Sequence, residues 1–264
     1  MEWYYLPYQV ARGAFNMALD AYLANNFTSV LKRPLLRFYG WDPYCLSLGI
    51  HQKLEEVNRE QCAAFNIDVV RRPTGGRAVL HSQELTYSVI VPPEYMNLHQ
   101  IYEFMHIVFA RALKRHGVPA ELTENQPDLR EFYKKKHSSL CFASAAKTEV
   151  KIGNKKLIGS AQHLFRDAIL QHGSILMDEY HKKIVDLFQL EEKEKVAFTR
   201  IIESSTTEIA RYNDQLTIPQ FIDAILEELS KNDVEFIPFN ISEEMMEEVS
   251  KLEGQFAITD NVHA

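Results

Sequence analysis

The reading turns on one stretch, Ile67-Asp68-Val69-Val70-Arg71-Arg72-Pro73-Thr74-Gly75-Gly76-Arg77-Ala78-Val79-Leu80-His81-Ser82-Gln83-Glu84-Leu85-Thr86-Tyr87-Ser88-Val89-Ile90-Val91. Three β-type runs, Ile67 to Arg72, Arg77 to His81 and Leu85 to Val91, are separated by turn chemistry and stopped by Pro92-Pro93. Three adjacent antiparallel strands are the simplest reading. Two consecutive glycines between such runs let the backbone approach a ligand closely, and Arg71, Arg72 and Arg77 place positive charge beside them. A tight hairpin with solvated arginines fits the same letters. No P-loop is present, because the Gly-x4-Gly-Lys-Ser/Thr pattern and its following helix are missing.

Upstream, Gly13 to Asn25 carries Phe15, Ala18, Leu19, Tyr22 and Leu23 at helical spacing. Leu35 to Tyr39 and Cys45 to Ile50 read as strands around the turn-prone Trp41-Asp42-Pro43. Downstream, Leu98 to His116 is the clearest helix, with Gly117 as its stop. After a polar, irregular stretch, Glu149 to Ile152, Lys156 to Gln162 and Ile169 to Leu176 read as strands, and Pro219 to Leu229 and Glu243 to Leu252 as helices, with a strand at Val234 to Pro238. This mixture predicts an α+β fold, a mixed and mostly antiparallel central sheet flanked by helices.

At 264 residues the chain can bury a full core, and 46% hydrophobic with 25% charged residues is ordinary for a globular protein. The net charge of -7 gives no support to a nucleic-acid binder. Residues 1–180 hold 21 basic and 18 acidic side chains, and residues 181–264 hold 8 and 18. That shift suggests a catalytic domain over 1–185 and a small, mainly helical C-terminal segment over 186–264. The start, Met1 to Arg12, does not read as a signal peptide, and no apolar window approaches the roughly 20 residues of a membrane span. Cys45, Cys62 and Cys141 are far apart and in no Cys-x-x-Cys pair. Neither a disulfide framework nor a zinc site is suggested, and a cytoplasmic protein without metal or membrane is expected.

Two further segments could carry chemistry. Lys156-Leu157-Ile158-Gly159-Ser160-Ala161 sets small residues inside a strand, which often marks close approach of a ligand or a second backbone, while Lys151, Lys155 and Lys156 could equally be a solvated hairpin tip. Cys141 lies in Leu140-Cys141-Phe142, where a buried small hydrophobe is the bland alternative.

Together these segments, with Gly13 to Asp20, Leu36 to Trp41 and Gln171-His172-Gly173-Ser174, resemble the lipoate-protein ligase and octanoyltransferase superfamily, whose catalytic domain is shared with biotin-protein ligases. Within it the chain is most similar to octanoyl-carrier-protein:protein N-octanoyltransferases of the LipM type. The features are Gly75 to His81, Glu84 to Ser88, and a Cys-Phe pair 15 residues before the lysine of Lys-x-x-Gly-Ser-Ala. The resemblance implies an acyl thioester on Cys141 and a Lys156 that lowers the thiol pKa, with no cofactor. It implies a substrate site drawn from Arg72, Thr74, Gly75, Gly76, His81, Gly159, Ser160 and Ala161.

The donor so implied is octanoyl-acyl carrier protein, and the acceptor a lysine of glycine cleavage H protein or an E2 lipoyl domain. Lys114-Arg115, Lys134-Lys135-Lys136 and Lys155 are candidate docking contacts. An apolar acyl channel would draw on Val69-Val70, Val79-Leu80 and Ile169 to Leu176. The family usually has His-Asp where this chain has His81-Ser82, so the partner of that imidazole is open. Competing readings are an ATP-dependent lipoate-protein ligase, an amidotransferase between lipoyl domains and a non-catalytic lipoyl-domain-binding partner.

Overall fold

The computed structural model describes residues 1–124 and 148–258. In chain order its elements are β1 (Glu2–Ala11), α1 (Gly13–Asn25), β2 (Leu35–Trp41), β3 (Cys45–Leu48), α2 (Arg59–Ala64), β4 (Asp68–Arg71), β5 (Val79–His81), β6 (Glu84–Val91), α3 (Leu98–Arg115), β7 (Glu121–Glu124), β8 (Thr148–Ile152), β9 (Lys155–Lys156), β10 (Ile158–Leu164), β11 (Ile169–Leu176), α4 (Glu192–Ser205), α5 (Ile218–Ser230), β12 (Glu235–Pro238) and α6 (Glu243–Phe256). Among the described residues the main sheet has six strands in the order β10-β11-β6-β2-β1-β12. Pairs β12–β1 and β1–β2 are parallel, and β2–β6, β6–β11 and β11–β10 are antiparallel. The expected α+β architecture is present.

Local chemistry explains the principal elements. Helix α1 is rich in Ala and Leu with no β-branched residue, which favours helix, and it is buried over most of its surface. Helix α3 starts at a reciprocal cap: the Asn97 side chain accepts from the backbone N–H of His99 and Gln100, while the Gln100 side chain accepts from Asn97 N–H. It stops where Gly117 takes φ +74°, with Lys114 and Arg115 at its negative end. No helix among the described residues is long and apolar enough to cross a membrane.

The predicted strands at 67–72, 77–81 and 85–91 form, but they are not neighbours. Strands β4 and β5 flank β3 in a second, three-stranded sheet, β4 parallel to β3 and β5 antiparallel. Strand β6 enters the main sheet between β2 and β11. Burial is the reason. All eight residues of β6 are buried and require neighbours on both edges and cover on both faces, whereas half-buried β4 suits an edge.

One face of the main sheet is apolar. Leu36 and Phe38 of β2 and Leu85, Tyr87, Val89 and Val91 of β6 pack with Met105, Phe109 and Leu113 of α3 and with Phe221 and Ile225 of α5. The other face is covered by α1, α6 and the small sheet. The charge shift near residue 185 meets no break in packing: β12 is an edge strand of the main sheet, α5 shares the α3 core, and Ile258 N–H donates to Val69 O at 2.9 Å.

Candidate active site

Beside the apolar patch of Leu35, Ile90 and Leu170, the second face of the main sheet carries a buried polar layer. In β6, Glu84, Thr86 and Ser88 alternate with the apolar residues, so they share one face, and registry places Thr86 beside Tyr39 and Ser174, and Ser88 beside Arg37 and His172. Helix α1 brings Asn16 and Asp20 onto this face. Asp20 accepts from Arg37 (2.8 Å), Tyr39 Oη (2.9 Å), Ser88 Oγ (2.8 Å) and His172 Nδ1 (3.4 Å). Burial pushes the Asp20 carboxyl up, but the Arg37 guanidinium, His172 and Ser88 outweigh it, and the group lies below its ordinary value. Burial holds His172 below the usual imidazole range. A neutral ring donating Nδ1–H to Asp20 leaves Nε2 to accept from Thr74 Oγ1 at 2.6 Å.

Thr74 opens the glycine-rich loop, and the buried Arg72 shapes that loop from beneath. Its guanidinium donates to Thr74 Oγ1 (3.2 Å), to Ser47 O (3.1 Å) and Oγ (3.2 Å), and to the carbonyls of Gly75 and Arg77 (2.7 Å each). Arg72 therefore holds the loop's carbonyl oxygens instead of presenting a free charge to solvent. Because a trans peptide sets C=O and the following N–H in opposite directions, turning the Gly75 carbonyl toward Arg72 aims the Gly76 N–H away from it. Gly76 has φ +91°, which an L side chain rarely adopts, and a Cβ on Gly49 would lie 2.1 Å from Gly76 O. Arg71 fastens the adjacent turn through Gly49 O (3.0 Å) and Gln52 O (2.7 Å).

His81 joins this loop to the sheet. Its Nδ1 lies 2.7 Å from Glu84 Oε1 and its Nε2 2.8 Å from Ser47 Oγ, while the ring stacks on Trp41 with centroids 4.0 Å apart and planes at 13°. The carboxylate missing at position 82 is supplied two residues later by Glu84. Burial raises the Glu84 carboxyl, but His81, Ser174 (2.5 Å) and Thr86 (2.5 Å) bring it below its ordinary value. An ionised Glu84 accepts only, so the Nδ1–H of His81 is the donor in this bond. Ser47, His81 and Glu84 have the spacing of a nucleophile, a base and an orienting acid, but Ser47 is fully buried and hydrogen-bonded to Arg72, so it serves as a post that fixes the imidazole.

Gly159, Ser160 and Ala161 lie on β10, where Gly159 pairs with Ser174, Ser160 with Gly173 and Ala161 with His172. Ser160 belongs to the opposite face from the Thr74 and His81 cluster: its Oγ is 2.8 Å from Tyr87 Oη and 2.9 Å from His106 Nε2 of α3. Gln171 donates to the same Tyr87 oxygen at 2.8 Å, and burial pushes that phenol up to about 12. A Cβ on Gly173 would meet Gly159 O at 2.6 Å and Ser160 Oγ at 2.7 Å, so only glycine admits this close approach.

Lys156 is no solvated hairpin tip. Its side chain is 9% exposed and its Nζ lies 2.8 Å from Glu149 Oε1. Cys141 lies outside the described residues, as do Lys134, Lys135 and Lys136. Of the other candidate docking residues, Arg115 is paired with Glu227 and Glu228 of α5, and Lys155 Nζ donates to Glu203 O at 2.6 Å. The residues proposed for one acyl channel separate into different cores, Val70 packing with Met17 and Tyr39, Leu80 with Leu46 and Leu48, and Ile169 and Ile175 with Tyr87. Alternation alone could not assign them, because it fixes a strand's face and not the layer packed upon it.

Local reading missed Asp20, Ser47, Glu84, His172 and Ser174 as members of the site. A signal existed. Polar residues at every second position of otherwise apolar strands, as in Glu84-x-Thr86-x-Ser88 and His172-x-Ser174, cost free energy to bury unless they bond one another, so they mark a shared polar layer.

A mixed central sheet flanked by helices is the fold of a lipoate-ligase-type catalytic domain. The family profile described as "Lipoyl protein ligase A/B catalytic domain" matches residues 12–230. "Octanoyltransferase LipM" of Macrococcus caseolyticus is 36% identical over 260 residues, covering 95% of this chain and 94% of its own. The protein of the same name from Bacillus subtilis is 39% identical over 195 residues, 70% of this chain and 69% of its own. Among solved structures, a bipartite lipoate protein ligase from Thermoplasma acidophilum superimposes with a TM-score of 0.77 at 19% identity, covering 97% of this chain and 93% of its own, a likeness of fold. The chain belongs to the lipoyl protein ligase A/B catalytic-domain family, in its octanoyltransferase branch, and is an acyltransferase.

Proposed function

We propose that the chain transfers an octanoyl group from octanoyl-acyl carrier protein to a lysine of a lipoyl-accepting protein, glycine cleavage H protein or an E2 lipoyl domain, through a thioester on Cys141. The observation that carries this reading is the likeness to octanoyltransferases along nearly the whole chain, in a sequence that holds both Cys141 and Lys156.

A free thiol has a pKa near 8.5, so only a few per cent is thiolate at pH 7. A neighbouring ammonium stabilises the anion, each unit of depression being worth about 1.4 kcal/mol and nearly tenfold in thiolate until the fraction saturates. Lys156 has that role. The thiolate attacks the donor's thioester carbonyl, a tetrahedral oxyanion forms, and the carrier's thiolate departs and takes up a proton. The Gly76 N–H, turned away from Arg72, and the backbone at Gly159-Ser160 are the candidate donors to that oxyanion. The acceptor's lysine amine then attacks the acyl-Cys, loses a proton, and expels the Cys141 thiolate as the amide forms. Thiol exchange is near thermoneutral and amide formation runs downhill, so the donor's own activation drives both steps and no nucleotide is consumed.

Arg72, Thr74, Gly75, Gly76, His81, Gly159, Ser160 and Ala161 form the substrate site in this reading, 72–76 as a loop made rigid from below and Ser160 through its backbone, since its side chain turns to the other face. Residues 1–185 supply the chemistry and 186–264 support it, in the reducing cytoplasm. Incubation with octanoyl-carrier protein and apo H protein, without ATP, tests the reading: the acceptor gains one octanoyl group. Octanoylation only with free octanoate and ATP would establish the ligase instead.

A further inference from the structure

We infer that Glu149 is the positioning residue of Lys156, the side chain that holds its ammonium at one place; this rests on the proposed role of Lys156. Strands β8 and β9 pair antiparallel with Lys151 opposite Lys156, and Glu149, two residues before Lys151, falls on the same face. The side chains of Glu149, Lys156 and Lys151 are 3%, 9% and 13% exposed. One carboxylate oxygen lies 2.8 Å from Lys156 Nζ and the other 3.2 Å from Lys151 Nζ.

Two facts separate this cluster from an ordinary surface pair. Taking a carboxylate and two ammonium groups out of water is costly, and apolar residues of similar size are often as stable, so stability alone does not account for it. The main chain of Lys156 is also fixed independently: Thr207 N–H donates to Lys156 O, Leu157 N–H donates to Val150 O, both at 3.0 Å, and Thr206 runs beside it as a parallel bridge. With the backbone fixed, the place of Nζ at the end of four rotatable bonds is set by its acceptor. Lys151 in turn fixes the second oxygen, so the carboxylate cannot rotate without losing a cation. Among the described residues two ammonium groups share this one carboxylate, so Glu149 orients Lys156 while Lys151 offsets its negative charge. On the adjoining segments Glu208 lies 3.4 Å from Lys182, which also pairs with Glu179 at 3.1 Å.

The test is the rate of iodoacetamide alkylation at Cys141, read by peptide mass at pH 7, in wild type, Glu149→Gln, Lys156→Ala and the double variant. Cys45 and Cys62 are buried and do not compete. Glu149→Gln is expected to slow alkylation per folded molecule about tenfold, the equivalent of one pK unit, with a lowered thermal midpoint because two largely buried ammonium groups lose their carboxylate. The double variant is expected to be no slower than Lys156→Ala alone, because Glu149 acts through that lysine. Glu149→Asp, which keeps the charge on a shorter arm, is expected between wild type and Gln, and replaces Gln as the readout if Gln does not fold. A slow Lys156→Ala beside a wild-type rate in the Glu149 variant overturns the inference and leaves the lysine's role standing. Multiplying losses in the double variant overturn it too. A wild-type rate in Lys156→Ala removes both.

Discussion

The two faces of the main sheet are made by the same strands and held by different physics. Leu85, Tyr87, Val89 and Val91 of β6 pack on α3 and α5 as an apolar layer, while Glu84, Thr86 and Ser88, interleaved with them, join Asp20, Arg37, His81, His172 and Ser174 in a buried hydrogen-bonded layer. Both are dry. The apolar layer is non-directional and tolerates changes that keep volume. In the polar layer each group is fixed by the next, from Asp20 through His172, Thr74, Arg72, Ser47 and His81 to Glu84. That chain passes through the glycine-rich loop at Thr74 and Arg72, so the difference teaches where rigidity is directed: one face stabilises the domain and the other sets the site.

Removing one ion from the polar layer gives the largest effect expected. Arg37→Met leaves Asp20 buried without its cation and is expected to cost about 3–5 kcal/mol in urea unfolding. A loss under about 1 kcal/mol would mean that the pair does not organise this face. On the apolar face, Leu113→Ala is expected to cost about 2–5 kcal/mol while acyl-adduct formation per folded molecule stays at the wild-type rate. A matching loss of rate would erase the division of labour.

Ser174→Ala removes one donor from the ionised Glu84 and is expected to cost about 1.5–3 kcal/mol, with a slower acylation step because His81 loses a firmly held partner. The smallest effect concerns pH. His172 is depressed in the folded state, so the unfolded chain binds the extra proton and stability falls as pH drops below about 6.5. His181, also depressed by burial, acts in the same direction. Asp20 and Glu84, both depressed, add their loss only as pH falls through the carboxylate range. His172→Asn is expected to lower the slope of stability against pH below 6.5 by at most about 1.4 kcal/mol per pH unit, the value for one proton. An unchanged slope in urea titrations would show that His172 is not held neutral by this layer.

Much of the fold was legible because its signals are local. Helix α1 and strand β11 have the limits their periodicity predicts, Gly13–Asn25 and Ile169–Leu176. Strand β1 is written in Trp3, Tyr4, Tyr5, Tyr8 and Val10, all strand formers, but without a regular alternation of apolar and polar residues to mark it. Partnerships were not legible in the same way. Ser47 and His81 are 34 residues apart and Asp20 and His172 are 152 apart, so nothing near either member announces the other. The missing carboxylate at 82 illustrates the limit: its replacement, Glu84, was in plain view, but only the turn between β5 and β6 brings it to the ring. Lys156 looked like a hairpin tip because Gly153-Asn154 precedes it, and Thr206 and Thr207, which cover it, come 50 residues later.

The central claim is that an acyl group rests covalently on Cys141. Intact-mass spectrometry of the chain after incubation with octanoyl-carrier protein, without ATP, tests it most directly. A gain of one octanoyl group that disappears in Cys141→Ala is the expected result; no gain without ATP, or a gain that survives the substitution, would contradict it.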